Sequence, residues 1–175
     1  MTYMKIFILI IWISSLLSCG QSRDSKTKNK DKPKSMNTMN DIEKLLDSTM
    51  PFLEGLIKKH GEFFPLASAI KTNDSIAQVG TYDGDDRPLS DKLIADLKNA
   101  LRAKRNDYRT IAIFYDVKVV DPSTKVKTDA IAVFVETKND DSAFTFYYPY
   151  TLTTDKELIF SNPWKNKMGI EIFND

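Results

Sequence analysis

Residues 109–152 read RTIAIFYDVKVVDPSTKVKTDAIAVFVETKNDDSAFTFYYPYTL, and this stretch decides the fold. It contains three segments, 109–120, 127–137 and 143–152, in which apolar residues recur at every second position. A repeat of two is the period of a β-strand. Because the connections between the segments are short and polar, we expect consecutive strands to pair antiparallel as a meander.

A first helix is predicted upstream of this meander. Apolar residues recur at helical spacing over 42–57, and Asn40 with Glu43 resembles a capping box at the start. Gly61 marks its end. Pro51 falls inside the pattern and cannot donate a helical hydrogen bond, so we expect a kink or two shorter helices.

A hairpin and a second helix separate the first helix from the meander. Segments 63–71 and 76–82 predict two strands, since a turn-rich tetrad joins them. The second helix should begin at Ser90, whose side chain can cap it while Leu89 packs onto Ile94.

The order of the elements predicts the fold class. Segments 158–161 and 169–173 add edge strands after the meander. We therefore expect a single α+β domain over 41–175, with a twisted antiparallel sheet and two or three helices on one face. A chain of 175 residues that is 42% apolar can bury the core of one such domain.

The N-terminus has the pattern of an export signal. Residues 6–17, IFILIIWISSLL, form an apolar run behind Lys5 that is shorter than the ~20 residues of a membrane span. Leu16-Leu17-Ser18-Cys19 then resembles the lipobox of bacterial lipoproteins. The resemblance implies a signal peptide over 1–18 and a lipid on Cys19. This cysteine is the only one in the chain, so it cannot form an internal disulfide.

The lipobox also implies a location. Acyl chains on Cys19 would anchor the exported chain permanently to a membrane of the cell envelope. Gly20 in the next position resembles lipoproteins that are sent to the outer membrane, where the host has one. The alternative is an uncleaved N-terminal anchor.

A basic spacer is predicted between the lipid and the domain. Residues 20–40 carry six basic side chains against Asp24 and Asp31 and almost nothing apolar, so we expect 19–40 to be a lipidated cysteine followed by a disordered spacer. The formal charge of the whole chain is +1, and the domain alone is mildly acidic. That balance argues against nucleic acid as a partner.

A second resemblance covers roughly residues 60–150. The segments 61–66 (GEFFPL), 82–88 (YDGDDRP) and 112–117 (AIFYDV) are similar to stretches of small uncharacterised bacterial proteins that share an F-(F/Y)-P entry and a late antiparallel meander. Some of those proteins are suspected of neutralising partner toxins. The resemblance carries no catalytic residue over to this chain.

Few residues suggest catalysis or metal binding. His60 is the only histidine, so a Ser-His-Asp or zinc site of the usual ligands is not expected, and we interpret it as capping the first helix. Asp83, Asp85 and Asp86 flank Gly84 and could contact a ligand or hold Ca²⁺, although an Asp- and Gly-rich turn needs the same residues. We expect no metal and no cofactor.

Two further aspartates interrupt apolar strands. Asp116 and Asp129 lie on strands that should be neighbours, and two carboxylates at suitable separation can perform acid–base chemistry such as glycoside hydrolysis. The alternative is a place on the solvated face of the sheet, beside Lys118 and Lys127.

The richest aromatic stretch is 144–150, FTFYYPY, with Trp164 following later. Alternation sends half of these rings to the core. We expect Tyr147, Tyr150 and Trp164 to contact a protein partner or a glycan. Pro149 lacks an amide donor and suggests an edge or a strand end.

These observations favour a membrane-anchored, non-enzymatic lipoprotein of the cell envelope that binds an unidentified protein, with toxin neutralisation as one version. The alternative is a protein that binds or processes an envelope glycan through an aspartate cluster. A structural component of the envelope is a third hypothesis, and the oligomeric state stays open.

Overall fold

A computed structural model describes residues 34–81, 84 and 88–174. Cys19, the segments 1–18 and 19–33, and Asp83, Asp85 and Asp86 lie outside the described residues. The elements, in chain order, are α1 (Lys34–His60), β1 (Leu66–Lys71), β2 (Ile76–Val79), α2 (Ser90–Ala103), a 3₁₀ turn (Arg105–Asp107), β3 (Tyr108–Val120), β4 (Lys127–Thr137), β5 (Ala143–Leu152), β6 (Leu158–Phe160) and β7 (Trp164–Met168).

The seven strands form one antiparallel sheet in the order β2-β1-β3-β4-β5-β6. The last strand, β7, also pairs with β5, next to the N-terminal half of that strand, while β6 pairs with the C-terminal end. The α+β class, the β1–β2 hairpin and the β3–β4–β5 meander are thereby confirmed. The bounds of β4 and β5 match the predicted segments 127–137 and 143–152. They match because polar connections interrupt the alternation of apolar residues at both ends of each strand.

The two helices cover opposite faces of the sheet, so the prediction that they share one face is wrong. Leu45, Leu53 and Ile57 of α1 pack in one core with Phe114 and Val133. The other core joins α2 to the sheet and contains Leu97, Leu101, Ile111, Ile113 and Phe134. Residues 110–114 and 130–136 are buried without interruption, and a strand that is apolar on both faces needs cover on both. We call the two sides the α1 face and the α2 face.

Helix α1 begins earlier than its local signals indicate. It starts at Lys34, so residues 34–40 of the expected spacer are helical and Asn40 is not its cap. The helix also continues through Pro51 without dividing in two. Its end is as predicted: Gly61 has φ +85° and donates from its backbone N–H to the carbonyl of Ile57 at 2.8 Å. Among the described helices, none is long and apolar enough to cross a membrane.

Local signals also mislead at α2 and at the C-terminus. Ser90 is already helical, while Leu89 occupies the N-cap position, is 76% exposed and does not staple the helix. The last strand is Trp164–Met168, not the expected 169–173. Residues 171–173 instead donate their backbone N–H groups to the carboxylate of Glu136, and this contact replaces pairing with a neighbouring strand.

Candidate functional site

The two edges of the sheet differ in charge. On one edge β6 is only three residues long, and β7 carries Lys165 and Lys167. On the other edge lies β2, and the run from residue 75 to 81, SIAQVGT, contains no charged residue and no proline. Within the described part of the chain, β2 pairs with β1 alone. Short strands, lysines and prolines are the usual means by which sheets prevent an edge from pairing with another chain. The β2 edge is itself only four residues long, and β6 is as uncharged as β2, but β2 lacks the lysines that β7 carries.

A groove of about 440 Å³ runs between α1 and β2. Phe52 and Leu66 supply its apolar wall, and Val79 and Gly80 border it along β2. Hydrogen bonds join the helix to the sheet beside it: the side-chain amide of Gln78 donates to Thr49 Oγ1 at 3.4 Å, and the hydroxyls of Thr49 and Ser68 are 3.1 Å apart. These bonds link the helix to both strands of the hairpin, β1 through Ser68 and β2 through Gln78.

The side of α1 next to this groove is uncharged and exposed from residue 48 to residue 55, between Lys44 and Lys59. Ser48, Pro51, Phe52 and Gly55 follow one another at spacings of three, one and three residues, which puts them on one side of the helix. Phe52 is 59% exposed, and Phe64 after the helix is 53% exposed. Large apolar side chains that stay in solvent beside an open strand are typical of interaction surfaces. We call β2, the groove and this helix side the β2 edge site.

Sequence reasoning missed the β2 edge site. Phe52 falls outside the apolar stripe that contains Leu45, Leu53 and Ile57, but a single off-stripe Phe carries little information. The signal that could have found the site is the charge-free run 75–81, in a chain where 28% of residues are charged. The strand order was also needed, because only an edge strand can accept a partner.

Asp116 and Tyr150 form a hydrogen-bonded pair on the α1 face. The Tyr150 hydroxyl donates to Asp116 Oδ1 at 2.9 Å. Burial raises the pKa of Asp116 above its usual range, although the hydrogen bond from Tyr150 acts in the opposite direction. Burial and the neighbouring Asp116 charge raise the pKa of Tyr150 as well. Tyr150 is only 5% exposed, so its predicted role as a partner contact is wrong.

Asp129 lies on the strand next to Asp116, as predicted. It is directly opposite Lys118, with 3.3 Å between Lys118 Nζ and Asp129 Oδ1, and both side chains are largely exposed. The charges of Asp129 and Glu62 also raise the pKa of Asp116. These groups make a small acidic cluster around a phenol that stays protonated. Among the described residues, no group of His, Cys, Asp and Glu is arranged to hold a metal ion.

Tyr147 and Trp164 come together on the α2 face. They are opposite each other in the β5–β7 pairing, and their rings stack with centroids 5.3 Å apart and planes at 17°. Both are half-buried. Pro149 is buried, and its carbonyl accepts from the N–H of Ser161 at 2.9 Å, at the point where β5 changes partner from β6 to β7. Of the two alternatives predicted at Pro149, the edge is wrong because β5 is an internal strand, and the strand itself continues to Leu152.

A polar cavity of about 780 Å³ lies beside the N-terminal half of α1. In its wall the guanidinium of Arg109 binds both carboxylate oxygens of Asp41, at 2.7 and 2.8 Å, and also contacts Asp74. Thr110 donates to Asp41 at 3.1 Å. The hydrogen bond from Arg109 lowers the pKa of Asp74. Two carboxylates balance this guanidinium, so we interpret the cluster as a tie between α1, the β1–β2 turn and β3.

The remaining predicted residue, His60, lies exposed in the last turn of α1, next to Lys59. Its capping role stays a prediction. No protein-family model matches the chain, and neither a curated protein nor a solved structure shows significant similarity to it.

Proposed function

We propose that the chain is a lipid-anchored protein of the cell envelope whose domain binds a strand of another protein molecule at the β2 edge site and catalyses no reaction. The uncharged edge strand beside an apolar groove is the observation that carries the proposal. In strand addition, main-chain hydrogen bonds supply affinity and neighbouring pockets select side chains. A toxin with an exposed strand is one partner of this kind, in line with the resemblance over 60–150.

The anchoring part of the proposal rests on the lipobox residues. A thioether-linked lipid on Cys19 would keep the domain at an envelope membrane, the outer one where the host has two. Replacing Cys19 with alanine in the full chain should abolish incorporation of labelled fatty acid and leave unprocessed precursor. Ser14→Ala, in the apolar run, is the matched control and should be labelled like the parent. Equal labelling of the Cys19→Ala chain would refute the anchor.

The binding part can be tested with a photo-reactive side chain in the groove. Replacing exposed Phe52 with p-benzoylphenylalanine in the full chain, followed by irradiation of whole cells, should give a covalent adduct with a polypeptide. Adding Ile76→Lys puts a charge on the edge and should remove the adduct, because a lysine at an edge opposes pairing. Val126→Lys is the matched control, since Val126 is exposed in the β3–β4 turn. An adduct that survives Ile76→Lys, or none at all, contradicts binding at this edge.

The second candidate function is glycan binding at the stacked Tyr147–Trp164 pair. Half-exposed aromatic rings offer apolar surface to sugar rings, and Trp164 is the only tryptophan of the described residues. Soluble peptidoglycan fragments should then change its fluorescence, and Tyr147→Ala should weaken the response. The catalytic version uses the carboxylates of Asp116 and Asp129 or those of the cluster at Asp83; unchanged phenotypes after Asp→Asn at all of these positions would exclude it.

A further inference from the structure

We propose that the strand bound at the β2 edge site is β2 of a second copy of this chain, so that two sheets join antiparallel into one about a twofold axis through Gln78. This inference rests on the proposed function and names its partner. It follows from the charge of the edge, from the direction of the side chains along β2 and from the open space at Gly80.

The neutrality of the edge favours a copy over a different protein. A twofold axis brings each residue of an edge close to the same residue of the partner, so any charge there would face a like charge. A different partner can instead supply a complementary charge, and an edge that binds one has no reason to be neutral throughout. Residues 75–81 are all uncharged, although residues 71 and 74 just before them are Lys and Asp. Self-pairing accounts for this neutrality.

The side-chain directions along β2 permit a symmetric pairing. Ile76 and Gln78 are opposite Ile70 and Ser68 of β1 and point to the α1 face, whereas Ala77 and Val79 point to the α2 face. Directly opposed residues of an antiparallel pair share a face. An axis at Gln78 sets Gln78 against its own copy, Ala77 against Val79 and Ile76 against Gly80. Every pair then keeps its face, and both α1 helices lie on the same side of the joined sheet.

The pairing of Ile76 with Gly80 is the feature that fits the groove. Ile76 is 41% exposed on an edge strand, and Gly80 lines the groove. A Cβ atom placed on Gly80 would meet no other atom within 4 Å, so the space above it is open to a partner's side chain. In the joined sheet, Ile76 of each copy would lie over Gly80 of the other, next to Phe52. The axis repeats this contact and buries two exposed isoleucines.

Between residues 48 and 55 the facing sides of the helices bring no like charges together in this arrangement. Joining the sheets at β2 turns the uncharged helix side with Ser48, Phe52 and Gly55 toward the same side of the second α1. Small and apolar side chains there avoid the repulsion that two like-charged helix faces would produce. Anchoring on one membrane, which is part of the proposed function, would also raise the local concentration of copies and favour pairing.

The test is a cysteine at the axis. Directly opposed residues of an antiparallel pair have Cα atoms ~4.5–5.5 Å apart, which lies inside the range that a disulfide spans. The full chain with Gln78→Cys, oxidised in its membrane, should give a disulfide-linked dimer. The parent chain, whose only cysteine is Cys19, gives the background, and Val126→Cys controls for random collision between exposed thiols.

A second substitution checks the register. In its own copy, the side chain added by Gly80→Val enters open space, so the domain should fold. In the joined sheet, that side chain would occupy the position of Ile76 from the second copy. Added to Gln78→Cys, it should lower the dimer yield about tenfold, as expected for an overpacked contact. A yield that does not fall, or a Gln78→Cys yield no higher than that of Val126→Cys, overturns the pairing.

The two proposals fail in different ways. If Gln78→Cys gives no dimer while the residue-52 probe still forms an adduct with a different polypeptide that Ile76→Lys removes, the second copy is refuted and strand binding at the edge stands. If the cysteine and the photo-reactive probe both give nothing, binding at the β2 edge site is refuted as well.

Discussion

Replacing Glu136 with glutamine should destabilise the domain through its C-terminal segment. Glu136 is 1% exposed on the α2 face of β4. The backbone N–H groups of Glu171, Ile172 and Phe173 all donate to its carboxylate, with N–O distances from 2.6 to 3.0 Å. Glu171 donates to one oxygen, Phe173 to the other and Ile172 to both. A buried negative charge thereby holds three successive amides that have no strand to pair with.

The size of the effect follows from this geometry. A glutamine amide keeps one oxygen, and its NH₂ group points at the N–H of Glu171 or of Phe173, whichever way it is turned. At least one backbone N–H therefore loses its acceptor, and the remaining N–H groups exchange a charged acceptor for a neutral one. Hydrogen bonds to charged groups are worth ~1.5–3 kcal/mol, and leaving a buried donor unsatisfied costs a similar amount. The segment cannot simply leave, since Arg102 donates to the Glu171 carbonyl at 2.6 Å and Ile172 is fully buried. We expect a loss of about 3 kcal/mol in the free energy of unfolding.

Urea unfolding followed by circular dichroism measures this loss. Glu157→Gln, in the exposed turn before β6, is the matched control and should change the free energy of unfolding by less than about 0.5 kcal/mol. Carboxypeptidase should trim the Glu136→Gln chain faster than the parent, because the terminal segment opens more often. If Glu136→Gln matches Glu157→Gln in both assays, the three amides do not depend on the charge, and the reasoning is wrong.

Three further predictions concern the cores and the charged groups. Leu53→Ala, at a fully buried position of α1, should lower the free energy of unfolding by about 2–5 kcal/mol in urea; a loss below 1 kcal/mol would contradict the packing of α1 on the sheet. A double-mutant cycle of Arg109→Leu with Asp41→Asn should give a coupling of about 0.5–3 kcal/mol, and additive effects would refute the tie. Because burial raises the pKa of Asp116 above its ordinary 3.8, the stability that this group contributes is complete below that pH and is lost as the pH rises through the raised pKa. The free energy of unfolding of Asp116→Asn should therefore increase relative to that of the parent as the pH rises above about 4. A difference in free energy that does not change with pH would contradict the raised pKa of Asp116.

The meander was predictable because it depends on local information. In β4 and β5 the period of two, short polar connections and β-branched or aromatic residues all agree, and agreement between such signals is what defines an element reliably. Which faces of the sheet the helices cover was not predictable in the same way. The pattern marks Ile111 and Ile113 as one side of β3, but Ala112 and Phe114 on the other side are equally buried. Only the second core shows that a helix covers each side.

Helix starts were wrong where distant residues outweigh local caps. Asn40 and Glu43 suggest a start at residue 40, yet the carboxylate of Asp41 binds Arg109 and Thr110, which lie far along the chain on β3. This tie fixes Asp41 against β3 from within the helix, which begins at Lys34. A capping signal is worth ~1 kcal/mol, and a partly buried, bidentate ion pair with a further hydrogen bond can contribute more.

Whether a strand can contact a partner depends on its place in the strand order more than on its residue types. Tyr147 and Tyr150 point to opposite faces: Tyr150 is buried in the core that includes α1, and Tyr147 stacks on Trp164 of β7. The aromatic stretch therefore lies inside the sheet, where its side chains mostly pack. At β2 the residues are less conspicuous, but the strand is at the edge, and no other strand of the described residues pairs with its outer side. What the sequence does record is the difference in charge between the edges: lysines occur in β7 and no charge in 75–81. Since edges that must stay single are the ones that acquire charge, the neutral edge is where a partner strand is expected.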